Sequence, residues 1–169
     1  MGKDLIETHE LDERIRGLTD KTRTGHIVGV YRSRMTDYLR VLNVPSLPEN
    51  AYAAVDASIR ETGSALPRAL LAYYFSVLHT IRDFGDSTFF PVVVDSPNQQ
   101  AQDKSSLSAM LAFIRDNQPK NSQLILGLED DLGVDIPGKR VELSTKYRLL
   151  VEDEYKQVRE EIAPLLRRL

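Results

Sequence analysis

Apolar residues in this chain recur at two spacings, and the spacing changes along its length. Between residues 4 and 24 they are few: Leu5, Ile6, Leu11, Ile15 and Leu18. The last three stand three or four apart, which predicts a helix with one narrow apolar stripe, either the stub of a longer coiled coil or a solvated surface helix. His26-Ile27-Val28-Gly29-Val30-Tyr31 reads as a short strand. Helical spacing returns over 33–42 with Met35, Tyr38, Leu39 and Leu42, and Pro45 and Pro48 then stop it. A second helical stretch is expected over 49–61. Residues 67–82 form the most apolar helix, with Pro67 in the first turn, where its missing N–H is not needed. Leu70, Leu71, Tyr74, Phe75, Leu78 and Ile81 span so wide a face that this helix should be largely buried.

Beyond the Gly85-Asp86-Ser87 turn the pattern shifts. Phe89-Phe90-Pro91-Val92-Val93-Val94-Asp95 is a continuous apolar run closed by a carboxylate, the mark of a buried strand. Residues 107–114 predict a helix, 123–128 a second buried strand, 139–143 a third strand, and 153–169 an amphipathic closing helix. Strands alternating with helices imply parallel pairing. The expected fold is α/β, a small and mostly parallel sheet flanked by helices, with residues 1–62 as a helical part and 63–169 as the lobe that holds the sheet.

Composition narrows the function classes. With 169 residues the chain is long enough for one domain with a genuine core. The formal charge of -3 comes from interspersed acids and bases, so no long-range field draws the bare chain onto nucleic acid. Absence of cysteine removes disulfides, thiolate zinc sites and a cysteine nucleophile together, and fits a reducing compartment. The longest apolar stretch, 69–78, is interrupted by Ser76 and falls short of the about 20 residues a membrane span needs. The N-terminus has no apolar signal core. A soluble, cytoplasmic protein with no membrane partner is expected.

Two segments carry candidate chemistry. In open α/β sheets ligands bind at the carboxyl edge, where Asp95 would stand. A carboxylate there can hold Mg²⁺ beside a nucleotide's phosphates; equally, a buried strand can simply end in an acidic residue. The second segment is Gly63-Ser64-Ala65-Leu66-Pro67-Arg68, opening the long helix. Glycine, a hydroxyl and free N–H groups at a helix start form an anion site, and Ser64 can also be a plain cap. Arg68, a cation in the first turn, works against the helix dipole and suits a partner's carboxylate or a phosphate.

The order of these segments resembles the C-terminal lobe of ABC-type ATPases, in particular the coiled-coil group of chromosome-maintenance, double-strand-break-repair and prokaryotic defence ATPases. The resemblance covers residues 63–169. It implies that Gly63, Ser64 and Arg68 belong to a variant signature motif that touches the nucleotide, and that Asp95 is the Walker B aspartate serving catalysis and the metal. Ser96-Pro97-Asn98-Gln99-Gln100-Ala101-Gln102-Asp103 would be the following D-loop, with Asp103 at the nucleotide-bearing interface. ATP and Mg²⁺ are the cofactors implied, in a completed head only. The partners implied are the missing Walker A lobe or a second ATPase subunit, a homodimeric head in the parent protein, and DNA through the parent alone. Ser96 stands where the family has a water-orienting glutamate and cannot act as such a base, so Gln99 or Gln100 would have to position water, or hydrolysis would be slow. No switch histidine follows the second strand; Glu129 is nearest its place.

One pattern competes. Gly133-Val134-Asp135-Ile136-Pro137-Gly138-Lys139-Arg140 matches a phosphate loop except that Arg140 replaces the Mg²⁺-binding hydroxyl. A real phosphate loop here would make the chain a circularly permuted nucleotide-binding protein; otherwise it is a Pro-Gly turn. A further alternative is a degenerate lobe kept as an interaction module. His9, His26 and His79 share no ligand spacing, and His79 should be a hydrogen-bonded core or boundary residue. Tyr73, Tyr74 and Phe75 are expected to pack in the core.

Overall fold

The computed structural model describes residues 2–86, 91–98, 102–143 and 152–167. The chain divides into two compact units, Met1–Asp135 and Ile136–Leu169. In the first, α1 (Gly2–Thr19) and α2 (Lys21–Val41) are followed by a short 3₁₀ turn (Glu49–Tyr52), α3 (Ala65–Phe84), β1 (Val92–Asp95), α4 (Lys104–Asp116) and β2 (Leu124–Gly127). The second contains α5 (Glu152–Leu166). The α/β class therefore holds in its coarse form, a mixed chain with a two-stranded parallel sheet. None of the described helices is long and apolar enough to cross a membrane.

Residues 26–31 are not a strand: they lie inside α2, which runs unbroken from its Asp20 cap. Their β-branched composition is overridden by packing, because Tyr31, Met35 and Leu39 fall at four-residue steps and are all buried on one side of the helix. Against that side lies α3. Its buried stripe is Ala69, Ala72, Ser76 and Thr80 together with Leu71, Phe75 and His79, whereas Tyr74 is 57% exposed and Ile81 41%. The buried face is thus rotated from the one expected. Small residues win the contact because they let α2 come close, and the Ser76 hydroxyl reaches the Met35 sulfur at 3.9 Å.

The helix expected over 49–61 is also absent beyond the 3₁₀ turn. Side chains from α2 and α3 take up the carbonyls a helix would use internally. Arg32 Nε donates to the Ala53 carbonyl at 2.6 Å, and the Tyr73 hydroxyl donates to that of Val55 at 2.7 Å. Tyr52, buried, pairs its hydroxyl with Thr36 Oγ1. Satisfied in this way, the segment gains nothing from a ladder of its own.

One core joins α2, α3 and α4 with the two strands. Met35, Leu39, Leu42 and Val44 meet Phe75 and the α4 residues Met110, Phe113 and Ile114. Phe113 stands edge-on to Tyr38 and Phe75, with ring centroids 4.9 and 5.3 Å away. This core draws on both sides of residue 62. His79 donates from Nε2 to the carbonyl of Asn117, the C-cap of α4, at 2.8 Å. Burial pushes its imidazole pKa down. From the sheet, Val94, Leu124 and Leu126 pack onto the same core.

In the second unit, residues 139–143 form no strand, and Val141 and Leu143 are exposed. Their alternation has no strand to pair with among the described residues, and a lone strand leaves its backbone groups to water.

Candidate functional site

Parallel pairing runs from Val92 opposite Leu124 to Asp95 opposite Gly127, so both strands deliver their carboxyl ends to one edge. The ladder closes where the Ser96 N–H donates to the Gly127 carbonyl at 3.0 Å. Ser96 then turns the chain in the left-handed region, at φ 51°, and its hydroxyl donates to Asp95 Oδ1 at 3.0 Å. Asp95 itself is exposed.

Gly127 is a site residue that the sequence reading missed. A Cβ there would stand 2.8 Å from Asp95 Oδ1, so a larger residue would push this flexible, exposed carboxylate aside. The available signal was a glycine closing the apolar run Leu124-Ile125-Leu126.

Just beyond this edge lies a cavity of about 400 Å³ whose walls include Ser96, Asn98, Gln102, Lys104, Glu129 and Asp130. Glu129 thus does stand at the edge that the second strand feeds. Gln102 also ties the two candidate segments together, since its Nε2 donates to the Ser64 carbonyl at 2.7 Å. The Gly63-Ser64 turn, made with Gly63 at φ 57°, is brought to the start of α4.

Ser64 occupies the N-cap position of α3 without a side-chain capping bond. Arg68 is engaged with protein carbonyls. Its Nη1 donates to Leu42 at 3.2 Å and Asn43 at 3.1 Å, and its Nε to Ser64 at 3.2 Å. These contacts place a cation on the C-terminal end of α2, where the helix dipole favours it. Asp103 caps α4. It accepts from the Ser105 hydroxyl at 2.5 Å, the Ser106 hydroxyl at 2.6 Å and the Ser106 N–H at 2.9 Å. Those donors, the Ser105 hydroxyl foremost, hold its carboxyl well below the usual carboxylate range. Gln99 and Gln100 lie outside the described residues.

The competing glycine loop opens on a carboxylate. The Gly133 N–H donates to Asp131 Oδ1 at 3.0 Å, and that of Leu132 to Asp130 Oδ1 at 2.8 Å. Of these two N–H groups only that of Gly133 belongs to the loop, as its first residue, and Leu132 precedes it. No helix follows within residues 139–143.

Among the described residues no three acidic or histidine side chains converge on a metal-sized point. The described carboxylate at the strand end, Asp95, could hold a divalent cation only with water completing its shell. Among the described residues the edge does not include a cradle of N–H groups with a lysine behind it. Compared with protein-family models, curated proteins and solved structures, the chain matches none.

Proposed function

We propose that this chain is the C-terminal lobe of an ABC-type ATPase head, to be completed by a lobe carrying the phosphate loop. The observation that carries the reading is the sheet's uncovered face. Parallel sheets are nearly always covered on both sides. Here Val94, Leu124 and Leu126 pack on the core, while Val93 is 63% exposed and Ile125, its partner in register, 47%. Alternation along β1 puts Asp95 on the same side as Val93. Whatever covers the apolar face therefore also arrives over the carboxylate, as a nucleotide-bearing lobe should.

In such a head Asp95 holds the Mg²⁺ of the nucleotide. The Ser64 hydroxyl meets the γ-phosphate presented by an opposing subunit, the Leu66 N–H being given to the Gly63 carbonyl and Pro67 carrying none. Arg68 steadies that helix start through the Ser64 carbonyl, and Asp103 shapes the loop ahead of α4. With Ser96 where a glutamate would orient water, hydrolysis is slow unless Gln99 or Gln100 takes that role.

Calorimetric titration of Mg-ATP into the purified chain tests this, with Lys139→Ala as the control. Neither protein should show saturable binding, and adding a phosphate-loop lobe should create binding that Asp95→Asn weakens. Micromolar binding by the chain alone, lost in Lys139→Ala, would overturn the proposal in favour of a permuted nucleotide-binding protein. Failure of every phosphate-loop lobe to restore binding would favour the interaction module.

A further inference from the structure

The second unit poses a separate question, because the described side chains of its helix are largely exposed. Every described side chain of α5 is exposed except Ala163, which is half-buried. A helix this short is marginal in water without packing against something, and α5 also contains Pro164, which removes one internal hydrogen bond. Yet its apolar residues are ordered. Tyr155, Val158, Ile162 and Leu165 follow one another at steps of three, four and three, all exposed. That is the 3.5-residue repeat of a coiled-coil seam, with Tyr155 and Ile162 at a and Val158 and Leu165 at d. Pro164 falls at c, away from the seam.

We infer that α5 pairs with α5 of a second copy of this chain, parallel and in register. Two features of the heptad select this partner and this orientation. An isoleucine at a with a leucine at d favours two parallel strands. The flanking charges agree. By sequence Glu154 stands at g and Arg159 at e, positions that face each other between the chains of a parallel pair. An antiparallel pair centred on the same seam sets Arg159 against Arg159. The seam spans only about two heptads, so the dimer is weak and forms with concentration. The inference stands independently of the ATPase reading, because it uses no residue of the sheet edge.

Sedimentation equilibrium of the full chain, combined with disulfide trapping, tests it, and the lack of native cysteine makes the trapping clean. A reversible dimer is expected, with its dissociation constant raised about tenfold or more by Ile162→Glu, which places a charge in the seam. Val158→Cys should link to itself under oxidation, because d faces d in a parallel pair. The thermal transition of the first unit should be unchanged in both variants. A chain that stays monomeric at every concentration overturns the inference. So does Val158→Cys that links only when mixed with Ile162→Cys, the antiparallel result.

Discussion

The helices α3 and α4 both begin beside the carboxyl edge of the sheet, yet their first turns are finished differently. At α4 the chain supplies its own anion: Asp103 accepts two hydroxyls and a backbone N–H, and its carboxyl stays ionised deep into acid. At α3 the corresponding position is Ser64, whose hydroxyl makes no capping bond. An uncapped helix start retains donors and positive dipole for an external anion, whereas a start already holding a carboxylate repels one. Of the two helix starts near the edge, the one opened by Gly63 and Ser64 is therefore the one without a side-chain anion, although its Leu66 N–H donates to the Gly63 carbonyl at 3.2 Å and Pro67 carries no N–H.

The comparison depends on both helices being seated on one core, and its strongest test attacks that shared support. Phe75→Ala removes an aromatic ring packed against Phe113 of α4 and should lower unfolding stability by about 3–5 kcal/mol, read by urea denaturation. A loss below 1 kcal/mol would mean that α3 and α4 are not held by a common core. Arg68→Ala should have a smaller effect. It releases the Leu42 and Asn43 carbonyls as well as Ser64, at a cost of about 1–2 kcal/mol for partly exposed charged hydrogen bonds. Arg68→Lys should recover only part of this, because one ammonium cannot serve the same spread of acceptors. A neutral Arg68→Ala would mean that its contacts with the three carbonyls contribute nothing to stability.

The smallest effects distinguish the two helix starts directly. Asp103→Ala should speed amide exchange at Ser106 and remove an acid-sensitive part of the stability. The sign follows from the depressed carboxyl: the stabilisation is complete above the unfolded carboxylate range, about pH 4, and is lost as pH falls below it. Ser64→Ala should leave stability within about 0.5 kcal/mol of the parent at every pH, since no capping bond is lost. Equal responses from the two variants would erase the distinction between the helix starts.

How far the site could be read in advance follows from where its information resides. Asp95 at the end of an apolar strand, the Gly63-Ser64 turn and the order of helix and strand between them were visible because each is local: a run, a turn, a cap. That Gln102 would bond the Ser64 carbonyl, that Arg68 would turn back onto the end of α2, and that Gly127 would make room for Asp95 were not visible. Each joins residues distant in sequence, and residue type alone does not specify a long-range partner.

The elements divide in the same way. Sequence by itself determined α4, α5, β1, β2 and the presence of α3, because strong periodicity and helix-stopping prolines act over a few residues. Tertiary structure alone decided that residues 26–31 join α2, that 49–61 stay mostly irregular, and which side of α3 is buried. In the first case one continuous face packed against α3 outweighs β-branched propensity. In the second, Arg32 and Tyr73 satisfy carbonyls that a helix would otherwise have used. In the third, small residues allow close helix contact and are buried together with Leu71 and Phe75, which leaves Tyr74 and Ile81 exposed.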